Sequence, residues 1–266
     1  MKEALVLGTG SNYTTSGGFG PNQVATMFGL SMFIFFSRLM LESETRLLFA
    51  LNLIITFLVT YRGLITFSRG GMITGFVMIL LLLFYLYIST KSKGKTKLNY
   101  IFGFMVFMFI VTWNYTSNQT DGLIEKRYAN QDASGKVKES QLTGREEIFT
   151  NEINSFIDNP IFGVGVAKGV EIRSDISGGD ITLSHNEISR MMAEHGIFGV
   201  IGLLILLFTP IALYLDNKKH IFLWCFLLFW LLTINHAAMR LSAAAFVYSL
   251  TLIKVYFDEQ PVVHRQ

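Results

Sequence analysis

"SHNEISRMMAEHGIFGVIGLLILLF" (184–208) joins two chemistries with no spacer between them. Its first half carries His185, Glu187, Arg190, Glu194 and His195, and from Gly196 to Leu215 no Asp, Glu, Lys, Arg or His follows. A helix needs about 20 apolar residues to cross roughly 30 Å of hydrocarbon. The second half of the stretch therefore reads as a membrane span. The first half places ionisable groups directly against its end.

The rest of the chain agrees with a membrane class. Of 266 residues, 51% are hydrophobic and 15% charged, with a mean hydropathy of +0.44, whereas soluble domains carry about 25% charge. Seven stretches suit spans, at about 22–38, 46–67, 71–89, 98–114, 196–215, 220–236 and 240–257. No closed-barrel alternation is visible, so backbone satisfaction in lipid demands helices. The expected fold is an all-α polytopic transmembrane bundle of about seven spans with one long, partly helical extracytoplasmic loop. Its expected divisions are 1–114 (four spans), 115–195 (the loop) and 196–266 (three spans and a cytoplasmic tail). Cys225 is the sole cysteine and excludes an intrachain disulfide.

Short-loop lysines and arginines set the orientation. Arg38 and Arg46, the "KSKGKTK" stretch (91–97), Lys218 and Lys219, and Lys254 with Arg265 fall on one side, which must be cytoplasmic. The opposite side receives Arg62, Arg69 and Arg240, the 115–195 loop, and the Gly/Ser/Thr-rich start "GTGSNYTTSGGFGPNQ" (8–23). The net charge of +3 is too small to imply nucleic acid as a partner. A seven-span chain with an outside start and no signal pattern reads as though it begins within something larger.

Four constellations carry chemistry. Ser184-His185-Asn186-Glu187 fits an S-x-x-E capping box. It would place His185 in a first helical turn, where the dipole favours neutral imidazole, the form a general base needs. Residues 185, 189 and 192 would then share a face, with Asn186 and Glu187 as supporting groups, and Gly196 would end the helix. The plainer reading is an interfacial helix with an incidental histidine.

"LTGREEIFTNEINSFIDNPIFGVG" (142–165) repeats the design, with Thr143 as a T-x-x-E start. Arg145 stands at the helix N-terminus, a place that attracts anions, though Glu146 or Glu147 could pair with it. Ile148, Phe149, Ile153, Phe156 and Ile157 form an apolar stripe. Asp158-Asn159-Pro160 ends the helix, and Gly163 and Gly165 permit tight backbone packing.

"TYRGLITFSRGGMITG" (60–75) contributes Arg62 and Arg69. On a continuous helix they would share a face about 10 Å apart along the axis. Forked guanidinium groups suit a phosphate or diphosphate, and "SRGG" looks like a break that aims Arg69. Snorkelling to headgroups explains Arg62 equally well. In "GFGPNQVA" (18–25), Pro21 suits a first helical turn, and Asn22 and Gln23 can donate to a ligand. The histidines at 185, 195, 220, 236 and 264 are scattered, and neither a metal constellation nor a nucleotide motif emerges; no cofactor or metal is expected.

"GPNQVA", "TFSRGG", "GREEIFTNEINSFIDNPIFGVG" and "SHNEISRMMAEHGIFG" occur in the order found in the O-antigen ligase and O-antigen polymerase (Wzy) superfamily, which this chain resembles over about residues 18–215. The pattern H-[NSQ]-x9-G-x-x-[GTY] is met by His185-Asn186 and Gly196-Ile197-Phe198-Gly199. The resemblance implies a multi-pass, metal-independent glycosyltransferase of the bacterial plasma (inner) membrane, serving surface polysaccharide biosynthesis. It would use an undecaprenyl-diphosphate-linked glycan donor and a glycan, lipid or protein hydroxyl acceptor on the outer face. It also implies that His185 activates the acceptor hydroxyl and that Arg69 and Arg145 hold the donor diphosphate; from the residues themselves, Arg62 is a further candidate and Asn22 a supporting one. Members of that superfamily carry more spans than seven, so further spans are expected before residue 1. Two other classes fit the residues: a transporter or flippase for an anionic lipid-linked sugar, using Arg62, Arg69 and the Gly-broken helices, or a truncated, non-catalytic remnant.

Overall fold

The computed structural model describes residues 8–11, 13–138, 145–176, 184–216, 218–237 and 241–255. Ten helices lie among them: α1 (Pro21–Leu41), α2 (Arg46–Leu64), α3 (Arg69–Ser89), α4 (Ser92–Gln119), α5 (Leu123–Tyr128), α6 (Arg145–Asp158), α7 (Lys168–Ile176), α8 (Glu187–Asp216), α9 (Leu223–Ile234) and α10 (Ser242–Leu250). No strand occurs among the described residues; one isolated bridge joins Gln131 to Val137.

Five helices are long and apolar enough to cross a membrane: α1, α2, α3, α4 from Gly94, and α8. The expected spans at 220–236 and 240–257 are corrected to helices of 12 and 9 residues. Composition marked both stretches as apolar, but α9 stops where Asn235 and His236 turn their side chains back onto the carbonyls of Leu231 and Leu232. The two short helices pack against each other, with Trp230 against Tyr248, and Tyr248 donates its hydroxyl to Leu206 O of α8 at 2.8 Å. α4 runs to Gln119 and α8 begins at Glu187, so both expected division points fall inside helices.

Sequence dictates the helix ends. Pro21 occupies the first turn of α1, where its missing N–H costs nothing. Thr45 caps α2 by accepting from Leu48 N. The α1–α3 crossing is set by small residues. A Cβ on Gly71 would fall 2.3 Å from the Ala25 backbone, and one on Gly75 2.3 Å from Gly29 O. Ala25-x-x-x-Gly29 thus lies against Gly71-x-x-x-Gly75, and side-chain-free surfaces let the two backbones touch. Below that crossing Phe33, Met78, Leu82 and Phe229 fill a core shared by α1, α3 and α9. Large apolar side chains face outward along the spans, among them Leu47, Phe107 and Ile205, as lipid-facing helices require. The crossing brings the first turns of α1 and α3 together at one end of the bundle.

Candidate functional site

At that end, the turn between α2 and α3 is held from three directions. Thr15 donates to Ile65 O (2.8 Å), Ser68 donates to Asn22 Oδ1 (2.7 Å), and Arg127 Nε of α5 donates to Phe67 O (2.8 Å). Phe67 is buried and adopts φ 57°, a left-handed backbone that costs a bulky residue roughly 1–3 kcal/mol. These bonds over-determine that strained turn, which releases the chain directly into Arg69.

Arg69 and Arg127 adjoin: Arg69 Nη1 lies 3.5 Å from Arg127 O. Burial holds the Arg127 guanidinium below its ordinary value, and the fields of Arg69 and then Arg145 lower it further. Burial likewise pushes the Tyr128 phenol up to about 12, against the opposing pull of Arg69 and Arg127. Tyr128 is anchored edge-on to Trp113 at 5.1 Å. The partly buried guanidinium of Arg127 on α5 thus lies within the positive fields of Arg69 on α3 and Arg145 on α6. Such a cluster favours an anion, and guanidinium forks match phosphate oxygens.

Arg145 also faces a second space. A cavity of about 250 Å³ is lined by Arg145, Thr150, Glu152, His185, Asn186 and Asn235, among others. Its floor comes from the packing of α6 on α8. Asn186 caps α8, its Oδ1 accepting from Ile188 N (2.9 Å) and Ser189 N (3.5 Å), while Ser184 Oγ accepts from Asn186 N at 3.2 Å. Ser189 donates to Glu152 Oε2 at 2.6 Å. Arg190 then grips both buried carboxylates of its own helix, Glu187 through a fork and Glu194 at 2.7 Å.

The "NPIFGVG" loop fastens α6 to the middle of α8. Gly196 breaks helical geometry at φ 58°, ψ −139°. The groups freed by the kink are taken by the loop: Val164 N donates to Ala193 O (2.9 Å), Gly165 N to Glu194 O (3.1 Å), and Ile197 N to Pro160 O (2.8 Å). A Cβ on Gly163 would meet the Glu194 backbone at 2.4 Å, and one on Gly196 would meet Ile161 O at 2.5 Å. The tight packing expected of this loop is present at Gly163, whereas a Cβ on Gly165 would meet nothing closer than Lys168 Cγ at 3.8 Å.

Several expectations change in detail. The cap of α8 is Asn186, two residues beyond Ser184, so His185 precedes the helix and does not share a helical face with 189 and 192. Asn186 wins because its carboxamide reaches the second and third amides, while Ser184 closes a tighter turn on Asn186. Glu187 is buried against Arg190 and does not line the cavity. Arg62 and Arg69 lie on different helices, and Arg62 is exposed at the end of α2, outside the cavity lining. Asn22 acts on the turn through Ser68. The stripe of α6 is divided: Ile148, Ile153 and Phe156 are half-buried, Phe149 and Ile157 are exposed, and the fully buried residue of the helix is Glu152, which Ser189 partners. Thr143, Arg240, His264 and Arg265 lie outside the described residues. Arg127 and Tyr128 were passed over in the sequence. Arg127 finds its partners at Phe67 and Arg69, about sixty positions away, and no local motif announces either residue. Among the described residues no group of three or more His, Cys, Asp or Glu could hold a metal ion.

A family model described as O-antigen ligase matches residues 53–204, more than half of the chain. Those residues contain Arg69, Arg127, Arg145 and His185. Neither a curated protein nor a solved structure matches the chain.

Proposed function

Because the chain belongs to the O-antigen ligase family, we propose that it transfers or polymerises a glycan from an undecaprenyl-diphosphate-linked donor onto an acceptor hydroxyl, at the outer face of a bacterial plasma membrane. One observation carries the reading: Arg145 stands at the junction of an arginine cluster suited to a diphosphate and a cavity that contains His185. Breaking the glycosyl–phosphate bond leaves negative charge on the diphosphate. Arg69, Arg127 and Arg145 would stabilise that charge as it develops. His185 would take the proton of the incoming hydroxyl, which enters through the cavity. Asn186 fixes the chain direction next to His185, and Asn22 fixes the turn that carries Arg69. The chemistry asks nothing of a metal ion in this arrangement.

The test is transfer by the full protein in lipid vesicles from a purified lipid-linked donor, with chelator present. Product formation that survives EDTA supports the reading. Donor uptake or flipping without a new glycosidic bond would favour a transporter instead, and abolition by EDTA would end the metal-free scheme.

A further inference from the structure

His236 lies beyond the family match, in the turn that ends α9, yet it reaches the arginine site from behind. Its Nδ1 is 2.7 Å from Leu232 O and its Nε2 is 3.1 Å from Thr26 Oγ1 in the first turns of α1. Its ring also fills the space beside Gly70, where a Cβ would come within 2.7 Å of it. Gly70 follows Arg69 directly. From α6, Arg145 is the charged group whose field reaches the ring.

The hydrogen bonds define the protonation states. A carbonyl accepts at Nδ1, so Nδ1 carries a proton. In the neutral ring Nε2 is then an acceptor and needs the Thr26 hydroxyl proton. That same proton is also wanted by Asn22 O, 2.8 Å away. Thr26 has one proton and two claimants. In the imidazolium form the conflict disappears: Nε2–H donates to Thr26 Oγ1, and Thr26 donates to Asn22 O. The Thr26 hydroxyl therefore makes both bonds at once only when His236 is charged; with the neutral ring it makes one, and Asn22 O keeps its helical bond. Opposing the charge are burial and Arg145, which together hold the ring below its ordinary value. An anion bound among the arginines would offset the Arg145 field, the smaller of the two opposing influences.

We propose that His236 is a fourth basic group of this anion site, which takes up a proton at Nε2 when a diphosphate binds among Arg69, Arg127 and Arg145. This rests on reading the arginine cluster as a diphosphate site. The proton comes from solvent and stays on the ring while the anion is bound, so the site gains one positive charge to set against the charge released on the leaving diphosphate.

The experiment uses a dialkyl diphosphate, whose own charge is constant near neutral pH, with the full protein in detergent. Calorimetric titration in two buffers of different ionisation enthalpy counts protons taken up on binding. The parent should take up a substantial fraction of one proton near pH 7, and His236→Gln should take up none. The variant should bind more weakly below neutrality and like the parent near pH 8, where a histidine is neutral. Because the variant could misfold, the parent's ¹⁵N-histidine spectrum gives a second readout: His236 should pass from the Nδ1–H tautomer to imidazolium as the diester is added. Binding without proton uptake, or uptake that persists in His236→Gln, overturns the role of His236 and leaves the arginines as an anion site. No binding to the parent overturns both.

Discussion

The Arg127 guanidinium holds the carbonyl of Phe67 at 2.8 Å, and Phe67 is the left-handed residue that turns the chain into Arg69. One arginine of the cluster therefore positions another through the backbone.

Arg127→Ala should cost about 1.5–3 kcal/mol, the usual loss for a hydrogen bond made by a charged group, because the Phe67 carbonyl loses its partner. Thermal unfolding in detergent measures this. Arg127→Lys keeps the charge but not the bond, and should sit between the parent and Ala. Equal stability of all three would detach the strained turn from Arg127.

Arg69→Lys and Arg145→Lys should each weaken binding of a lipid diphosphate by roughly tenfold or more, since a point charge cannot reproduce the fork. Arg38→Lys is the control: Arg38 pairs with Glu42 at the other end of α1. Affinities matching that control would take both arginines out of the site.

His185→Ala should abolish glycan transfer by about 10²–10⁴ in rate, with membrane insertion unchanged. His195→Ala should retain most activity, since His195 does not line the cavity. A normal rate for His185→Ala would reject the base assignment.

How much of this was readable in the sequence depended on the range of the contact. Pro21 at a helix start and Asp158-Asn159-Pro160 at a helix end are local signals, and both describe the structure. The N-terminus of α8 was legible only to within two residues, because Ser184 and Asn186 are both competent caps and side-chain reach decides between them. Arg127 was illegible: it sits in a polar stretch, and its partner at Phe67 is brought near by the packing of α4 on α2 and α3. Glu152 shows the same limit from the other direction. Periodicity marked an apolar stripe on α6, but it could not show that Glu152 is the residue buried there, because its partner Ser189 lies on α8. Composition recognised α9 and α10 as apolar but could not show that they stop short of a span.

Gly196→Ala should destabilise the protein by roughly 1–3 kcal/mol or more. The residue has φ 58°, and the new Cβ would press on Ile161 O, a backbone atom that has nowhere to go. Gly202→Ala on the same helix meets nothing within 4 Å and should be neutral. Matching melting temperatures for the two variants would contradict the kink.

Single cysteines introduced at 120–135 should react with an impermeant thiol reagent from outside the cell, and cysteines at 91–97 should not. Cys225 is buried and gives little background. The opposite labelling would put the arginine cluster on the cytoplasmic side and end the proposed chemistry.

The backbone bonds between the "NPIFGVG" loop and the Gly196 kink have a mechanical consequence. They splint α6 to both sides of the kink: Val164 and Gly165 reach the turn before Gly196, and Ile197 reaches back from the turn after it. Arg145 opens α6 and His185 immediately precedes the cap of α8, so both are carried on one braced unit. The amides of Val164, Gly165 and Ile197 should then be protected from solvent exchange together, and Gly196→Ala should lower the protection of all three at once.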